Sequence, residues 1–165
     1  MCNNVPYAHL GDRDMRKYVA LLLFFLAPLA VAATGPYVEG ADANADIKAA
    51  IADARKAKMP VLVVFGANWC PDCRVLDIAF KEGASAPLIA KHFKVVKVDV
   101  GRFDRNTDIA ERYGVPLKRG IPAVAVLSQD GRVLYATKGG ELADARKMGD
   151  QGIYDFFDKV ASSPK

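Results

Sequence analysis

At 165 residues the chain is long enough for one domain and too short for two of ordinary size, and a hydrophobic content of 52% is ample for a packed core. The formal charge of +4 arises from 23 basic residues interleaved with 19 acidic ones rather than from a basic block. That pattern describes a solvated surface and argues against a nucleic-acid partner.

Residues 1–14 are polar and precede Met15-Arg16-Lys17, the apolar run Tyr18 to Leu29, and the small-residue stretch Ala30-Val31-Ala32-Ala33. A basic region, an apolar region and a small-residue site are the parts of a cleaved secretory signal. Residues 15–32 are therefore expected to be a signal peptide cut near Ala32. Pro28 interrupts the run, which falls short of the roughly 20 apolar residues of a membrane span. Because such signals normally start at the initiator methionine, residues 1–14 read as a non-native upstream segment and Met15 as the true start. The mature chain is then periplasmic or secreted, and it keeps Cys70 and Cys73 but not Cys2.

A lead containing Gly and Pro occupies residues 33–43. Ile47, Ala50, Ile51 and Ala54 follow at i, i+3, i+4 and i+7, which predicts an amphipathic helix from Asn44 to Lys58, ended before Pro60. Val61 to Phe65 is an unbroken apolar run closed by Gly66, as in a strand buried on both faces. Pro71 suits a first helical position, so a helix is expected to begin at the cysteines and run to about Phe80. Ser85-Ala86-Pro87 reads as the cap and first turn of another helix ending near Phe93. Lys94 to Val100 reads as a strand, and Thr107 or Asp108 to Tyr113 as a short helix stopped by Gly114.

Ala123 to Leu127 and Arg132 to Thr137 flank Asp130-Gly131, a hairpin signal. Ile153, Phe156, Phe157 and Val160 repeat the helical spacing and predict a terminal helix, leaving residues 162–165 as a tail. This order calls for parallel strands joined by crossovers together with an antiparallel pair. The expected fold is α/β, a central mixed β-sheet flanked by helices, over residues 44–161.

Cys70 and Cys73, two residues apart at a helix start, lie on one face and one turn apart, with sulfurs near enough to bond. Unsatisfied backbone N–H groups and the helix dipole favour a thiolate at that end. Cys70 is the expected nucleophile, Cys73 the resolving thiol, and Trp69 a flat apolar cover. An inert disulfide is the blander reading, but so short a loop gains little from one. A zinc site needs about four ligands, and past the cut His92 is the one histidine beside the pair. No metal is expected there, and His92, among apolar neighbours, reads as structural. The alternative to an enzyme is a module that holds a partner protein or Cu(I) through the two thiolates without turnover.

Trp69-Cys70-Pro71-Asp72-Cys73 after the strand Val61 to Phe65, with Gly120-Ile121-Pro122 before the strand Ala123 to Leu127, resembles the thioredoxin superfamily. The resemblance covers residues 44–161 and implies a thioredoxin-like fold. It also implies that Pro122 is a cis-proline facing the cysteines and that the Ile121 backbone is open to pair with an extended substrate segment. Without it, Pro122 reads as an ordinary strand-start proline. The expected partners are protein disulfides or dithiols and a soluble or membrane redox partner for recycling. The protein is expected to be a monomer without a cofactor.

The departures are specific. Pro71-Asp72 stands where thioredoxin has Gly-Pro, as in small thioredoxin-related proteins with the same motif, and Val64 stands where thioredoxin has a buried proton-shuttling aspartate. The stretch from Val115 to Arg119 and the segment Glu141 to Gly149 are additions, and Lys118 and Arg119 read as solvated charges. Asp72, read as exposed, opposes ionisation of Cys70 by on the order of 0.3 to 1 kcal/mol. Strong reductants and strong oxidants of this kind differ by about 7 kcal/mol. Pro71 and Asp72 thus tune the thiol toward a reducing role without deciding it. The expected activity is extracytoplasmic thiol–disulfide exchange in the reducing direction.

Overall fold

The computed structural model describes residues 35–163. The upstream segment 1–14, the signal peptide 15–32 with its cut near Ala32, residues 33–34 of the lead and residues 164–165 of the tail lie outside the described residues.

Helix α1 spans Ala43–Ala57. The Asp42 carboxylate caps it by accepting from the Ala45 N–H at 3.0 Å, and Lys58 ends it in the left-handed conformation. Strand β1, Val61–Gly66, is buried at every position. Helix α2 covers Pro71–Lys81 and helix α3 covers Ser85–His92. Then come β2 (Lys94–Asp99), α4 (Thr107–Arg112), β3 (Ala123–Leu127), β4 (Val133–Ala136) and α5 (Ala145–Ser162).

The strands form one sheet in the order β2-β1-β3-β4. β1 runs parallel to β2, with Val61 opposite Lys94, and antiparallel to β3, with Phe65 opposite Ala123. β4 completes the antiparallel side. This is the mixed sheet expected, and the two fully buried strands at its centre are the two unbroken apolar runs. The antiparallel pairing has a consequence for the site. It brings the end of β1, which leads to the cysteines, beside the start of β3, which follows Pro122.

Alternate residues of β1 feed two cores. Val61, Val63 and Phe65 pack with Ile47, Ile109 and both cysteines. Leu62 and Val64 pack with Leu76, Ile89 and Phe157 of helices α2, α3 and α5. Val64 is therefore an ordinary core residue of the second layer, apart from the layer that holds the sulfurs.

The structure changes one of these expectations, the cap of α3, and adds detail to three others. Ser85 is not the cap of α3: Ala84 takes that position, and its N–H is satisfied by the Asp150 carboxylate at 3.0 Å. The Ser85 hydroxyl is instead buried without a hydrogen-bond partner. The stretch Val115 to Arg119 includes a 3-10 turn over Leu117–Arg119 with Leu117 inside. The segment 141–149 buries Leu142 and Ala145 and already contains the first turn of α5, which is broken at Gly149 (φ 66°, ψ 177°). Periodicity from Ile153 onward therefore reveals only the second piece of that helix. Finally, the lead is part of the folded unit, because Tyr37 is 2% exposed and belongs to the core that holds the cysteines.

Candidate active site

Cys70 occupies the N-cap of α2 in extended backbone (φ −80°, ψ 116°), and Pro71 follows inside the first turn. The Cys70 N–H donates to Ala67 O at 3.1 Å, which closes the turn out of β1. Cys70 Sγ accepts from the Cys73 N–H at 3.2 Å, taking the role of a capping oxygen, and its thiol donates to Ile121 O at 3.5 Å. Both cysteines are unbonded and buried, so this is the dithiol form.

The two thiols are driven apart. Hydrogen bonding from the Cys73 thiol is the largest influence on Cys70. With the Cys73 N–H it outweighs burial and the Asp72 charge, and pulls the Cys70 pKa down to about 7. Cys73 is pushed far above the ordinary range, first by that same hydrogen bond to Cys70 and then by burial. Cys70 is thereby the more readily ionised thiol of the pair and Cys73 the less, the order expected of a nucleophile and a resolving thiol. Since the thiolate is the reactive form, alkylation of Cys70 by iodoacetamide should rise with pH through a midpoint near 7. Mass spectrometry of quenched samples measures it. A midpoint at the free-cysteine value of about 8.5 would contradict the assignment.

Asp72 corrects an expectation. It is 6% exposed rather than solvated, and one carboxylate oxygen accepts from the Arg146 N–H at 2.9 Å and from Arg146 Nε at 3.2 Å. Burial raises its pKa, but the Arg146 backbone and guanidinium more than offset this and the net shift is downward. The first piece of α5 supplies both donors at a helix N-terminus, where a carboxylate is favoured. Asp72 is thus an anion next to Cys70 whose charge is shared with Arg146.

Trp69 is 46% exposed, its indole N–H donates to Gly101 O at 2.7 Å, and its ring meets Phe103 edge to face at 6.0 Å. The expected flat cover is therefore an indole anchored to the loop after β2. An open groove of about 1020 Å³ continues from Phe103 along Val115, Pro116, Leu117 and Gly120, so the 115–119 addition builds one of its walls. The Ile121–Pro122 peptide is cis. Gly120 precedes it at φ 113°, where an added Cβ would also lie 2.6 Å from Ala143 Cβ, so glycine is required there. Ile121 is not an open edge in the dithiol form, because its carbonyl faces the Cys70 thiol.

The site also contains residues that the sequence did not reveal. Asn68 holds Tyr37 from both sides: the Tyr37 N–H donates to Asn68 Oδ1, and Asn68 Nδ2 donates to Tyr37 O, each at 2.9 Å. Asn68 Nδ2 also reaches Glu39 at 3.1 Å. The Tyr37 hydroxyl lies against Cys73. Further along α2, Asp77 pairs with Lys81 at 2.8 Å and with Lys97 of β2. The only local signals were a lone aromatic in the Gly-Pro lead and an asparagine beside Trp69. Among the described residues no group of three or more His, Cys, Asp or Glu side chains converges as a metal site.

Comparison with known proteins agrees with this geometry. A thioredoxin-like family profile matches residues 42–128. A disulphide isomerase from Xylella fastidiosa Temecula1, known from a crystal structure, is 56% identical, with a TM-score of 0.76 over 79% of this chain and 100% of that one. Thioredoxin of Pseudomonas aeruginosa is 37% identical over 94 residues, covering 57% of this chain and 78% of the relative. Thioredoxin of Rhodospirillum rubrum is 38% identical over 90 residues, 54% of this chain and 77% of the relative.

Proposed function

The chain belongs to the thioredoxin-like family, and from that premise we propose that it is an extracytoplasmic oxidoreductase that reduces disulfides in other proteins through a Cys70–Cys73 cycle. The observation that carries the reading is the placement of Cys70. Its sulfur caps α2, its pKa is about 7, and it lies 3.5 Å from the backbone that precedes Pro122.

The Cys70 thiolate attacks one sulfur of a substrate disulfide. A Cys70–substrate bond forms, the substrate disulfide breaks, and its other sulfur leaves with the electron pair. Cys73 then displaces the bound sulfur, which closes Cys70–Cys73 and releases the reduced substrate. Trp69 and Phe103 offer exposed apolar surface beside Cys70, and the Ile121–Pro122 backbone offers the polar edge, once Cys70 has turned from it to substrate. A soluble or membrane dithiol partner returns the pair to the reduced form. The Asp72 charge opposes the Cys70 thiolate and so favours a reducing poise. The Met15 to Ala33 segment supports export, which predicts a mature N-terminus near Ala33 or Thr34.

Catalytic reduction of insulin with dithiothreitol as the electron source, joined to the reduction potential of the pair, tests this reading. Turnover with a potential below about −230 mV is the expected result. A value above about −160 mV would make the protein an oxidase or an isomerase, as the Xylella relative is named.

A further inference from the structure

Tyr37 is a buried titratable group that the exchange cycle leaves without a role. Its hydroxyl ends at Gly66, where β1 lacks a side chain. A Cβ added there would overlap the hydroxyl and lie 2.9 Å from Cys73 Sγ. Phenol and thiol thus meet across a gap that only glycine leaves open. The tyrosine is not placed there by apolar packing alone, because Asn68 clamps its backbone through two hydrogen bonds and also holds Glu39. Asn68 is separated from Cys70 by Trp69 alone, so one loop positions both the nucleophile and the phenol.

Burial first, then the charge that a thiolate of the cysteine pair carries and that of Asp77, keep the phenol protonated well above its ordinary range. It is therefore a donor throughout the pH range in which thiols exchange. A phenol donor beside Cys73 lowers the cost of a thiolate there and so opposes the burial that disfavours one.

We propose that the Tyr37 hydroxyl donates a hydrogen bond to Cys73 Sγ as that sulfur attacks the mixed disulfide, which makes Tyr37 a catalytic residue of the resolving step. This deepens the oxidoreductase reading and rests on it. In the step, the Cys73 thiol gives up its proton and its sulfur electron pair forms the Cys70–Cys73 bond. The bond between Cys70 and substrate breaks, its electron pair leaves on the substrate sulfur, and that sulfur takes the proton and departs as a thiol. The cysteine pair is oxidised and the substrate reduced. Tyr37 keeps its own proton and shares it with Cys73 while charge develops there.

The test follows the reduced protein reacting with one equivalent of 5,5′-dithiobis(2-nitrobenzoate) in stopped flow. Release of the first thionitrobenzoate reports attack by Cys70, and release of the second reports resolution by Cys73. No protein substrate is needed, so failure of insulin reduction and failure of the Tyr37 role are separate results. Tyr37→Phe keeps the ring in place. It should leave the first phase essentially unchanged and slow the second about tenfold, since a hydrogen bond to a charged atom is stronger than a neutral one. An unchanged second phase overturns the proposal. Equal slowing of both phases also overturns it, because that is the signature of lost structure. As a second measurement, alkylation of Cys73 in Cys70→Ser protein should slow when Tyr37→Phe is added, and an unchanged rate counts against the role.

Discussion

Cys70→Ser is expected to abolish disulfide exchange, whereas Cys73→Ser should leave the first attack intact and turn the protein into a covalent trap for its substrates. Among the described residues no second nucleophile stands in for Cys70. Cys73 is fully buried and its thiol is held far above the ordinary range, so almost none of it is thiolate at neutral pH. Loss of turnover by at least about a thousandfold follows, the scale of removing an activated nucleophile. The behaviour of Cys73→Ser rests on proximity. In the parent protein the Cys73 N–H bonds to Cys70 Sγ and holds the two residues together in the first turn of α2, and displacement inside one molecule proceeds as though its partner were present at on the order of 10⁵ M or more. Serine oxygen cannot make that bond, so the mixed disulfide persists. Non-reducing gels and mass spectrometry should show adducts on Cys70 that disappear with dithiothreitol. Turnover by Cys70→Ser protein would undo the assignment, as would an absence of adducts where the parent protein turns over.

Phe157→Ala should cost about 3–5 kcal/mol of folding free energy and still leave the chemistry of Cys70 where it is. Phe157 is fully buried in α5 and meets both Phe80 and Phe156 edge to face at 5.0 Å. Its loss removes the centre of an aromatic cluster that joins α2 to α5. Such a cost is a large part of the roughly 5–15 kcal/mol available to a domain, so the urea midpoint should fall steeply. The cysteines belong to the other core, and Gly149 separates the Phe157 piece of α5 from the turn that binds Asp72. The alkylation midpoint of Cys70 in native buffer should therefore stay near 7. A displaced midpoint would show that the two layers are coupled, and a urea midpoint close to that of the parent would show that the cluster is not stabilising.

What could be read in the sequence was local. β1 and β3 were visible because central strands buried on both faces produce unbroken apolar runs. Cys70, Cys73 and Pro71 were visible because a helix start imposes its own short spacing. The resemblance brought in Ile121 and Pro122, which the structure puts at the same end of the sheet as the cysteines. The rest depended on pairs with no common period. Arg146 reaches Asp72 across 74 residues, Asn68 reaches Tyr37 across 31, and Asp150 displaces Ser85 as a capping group from 66 residues beyond Ala84. Asp72 and Ser85 were assigned by their neighbours in sequence and Asn68 drew no assignment, while the burial and partners of all three are set by elements that arrive from elsewhere.

Cys70 and Cys73 are 3% and 0% exposed and pack among Val63, Phe65 and Ile109. For this protein, then, oxidation state and folding stability are two legs of one thermodynamic cycle. The free energy of reducing the folded pair differs from that of the unfolded pair by the difference in stability between the dithiol and disulfide forms. Any core substitution that favours the dithiol packing makes the protein a stronger oxidant, by about 30 mV for each 1.4 kcal/mol. Ile109 touches no substrate and carries no charge, yet it belongs to the set of residues through which evolution can adjust the voltage at which this protein works.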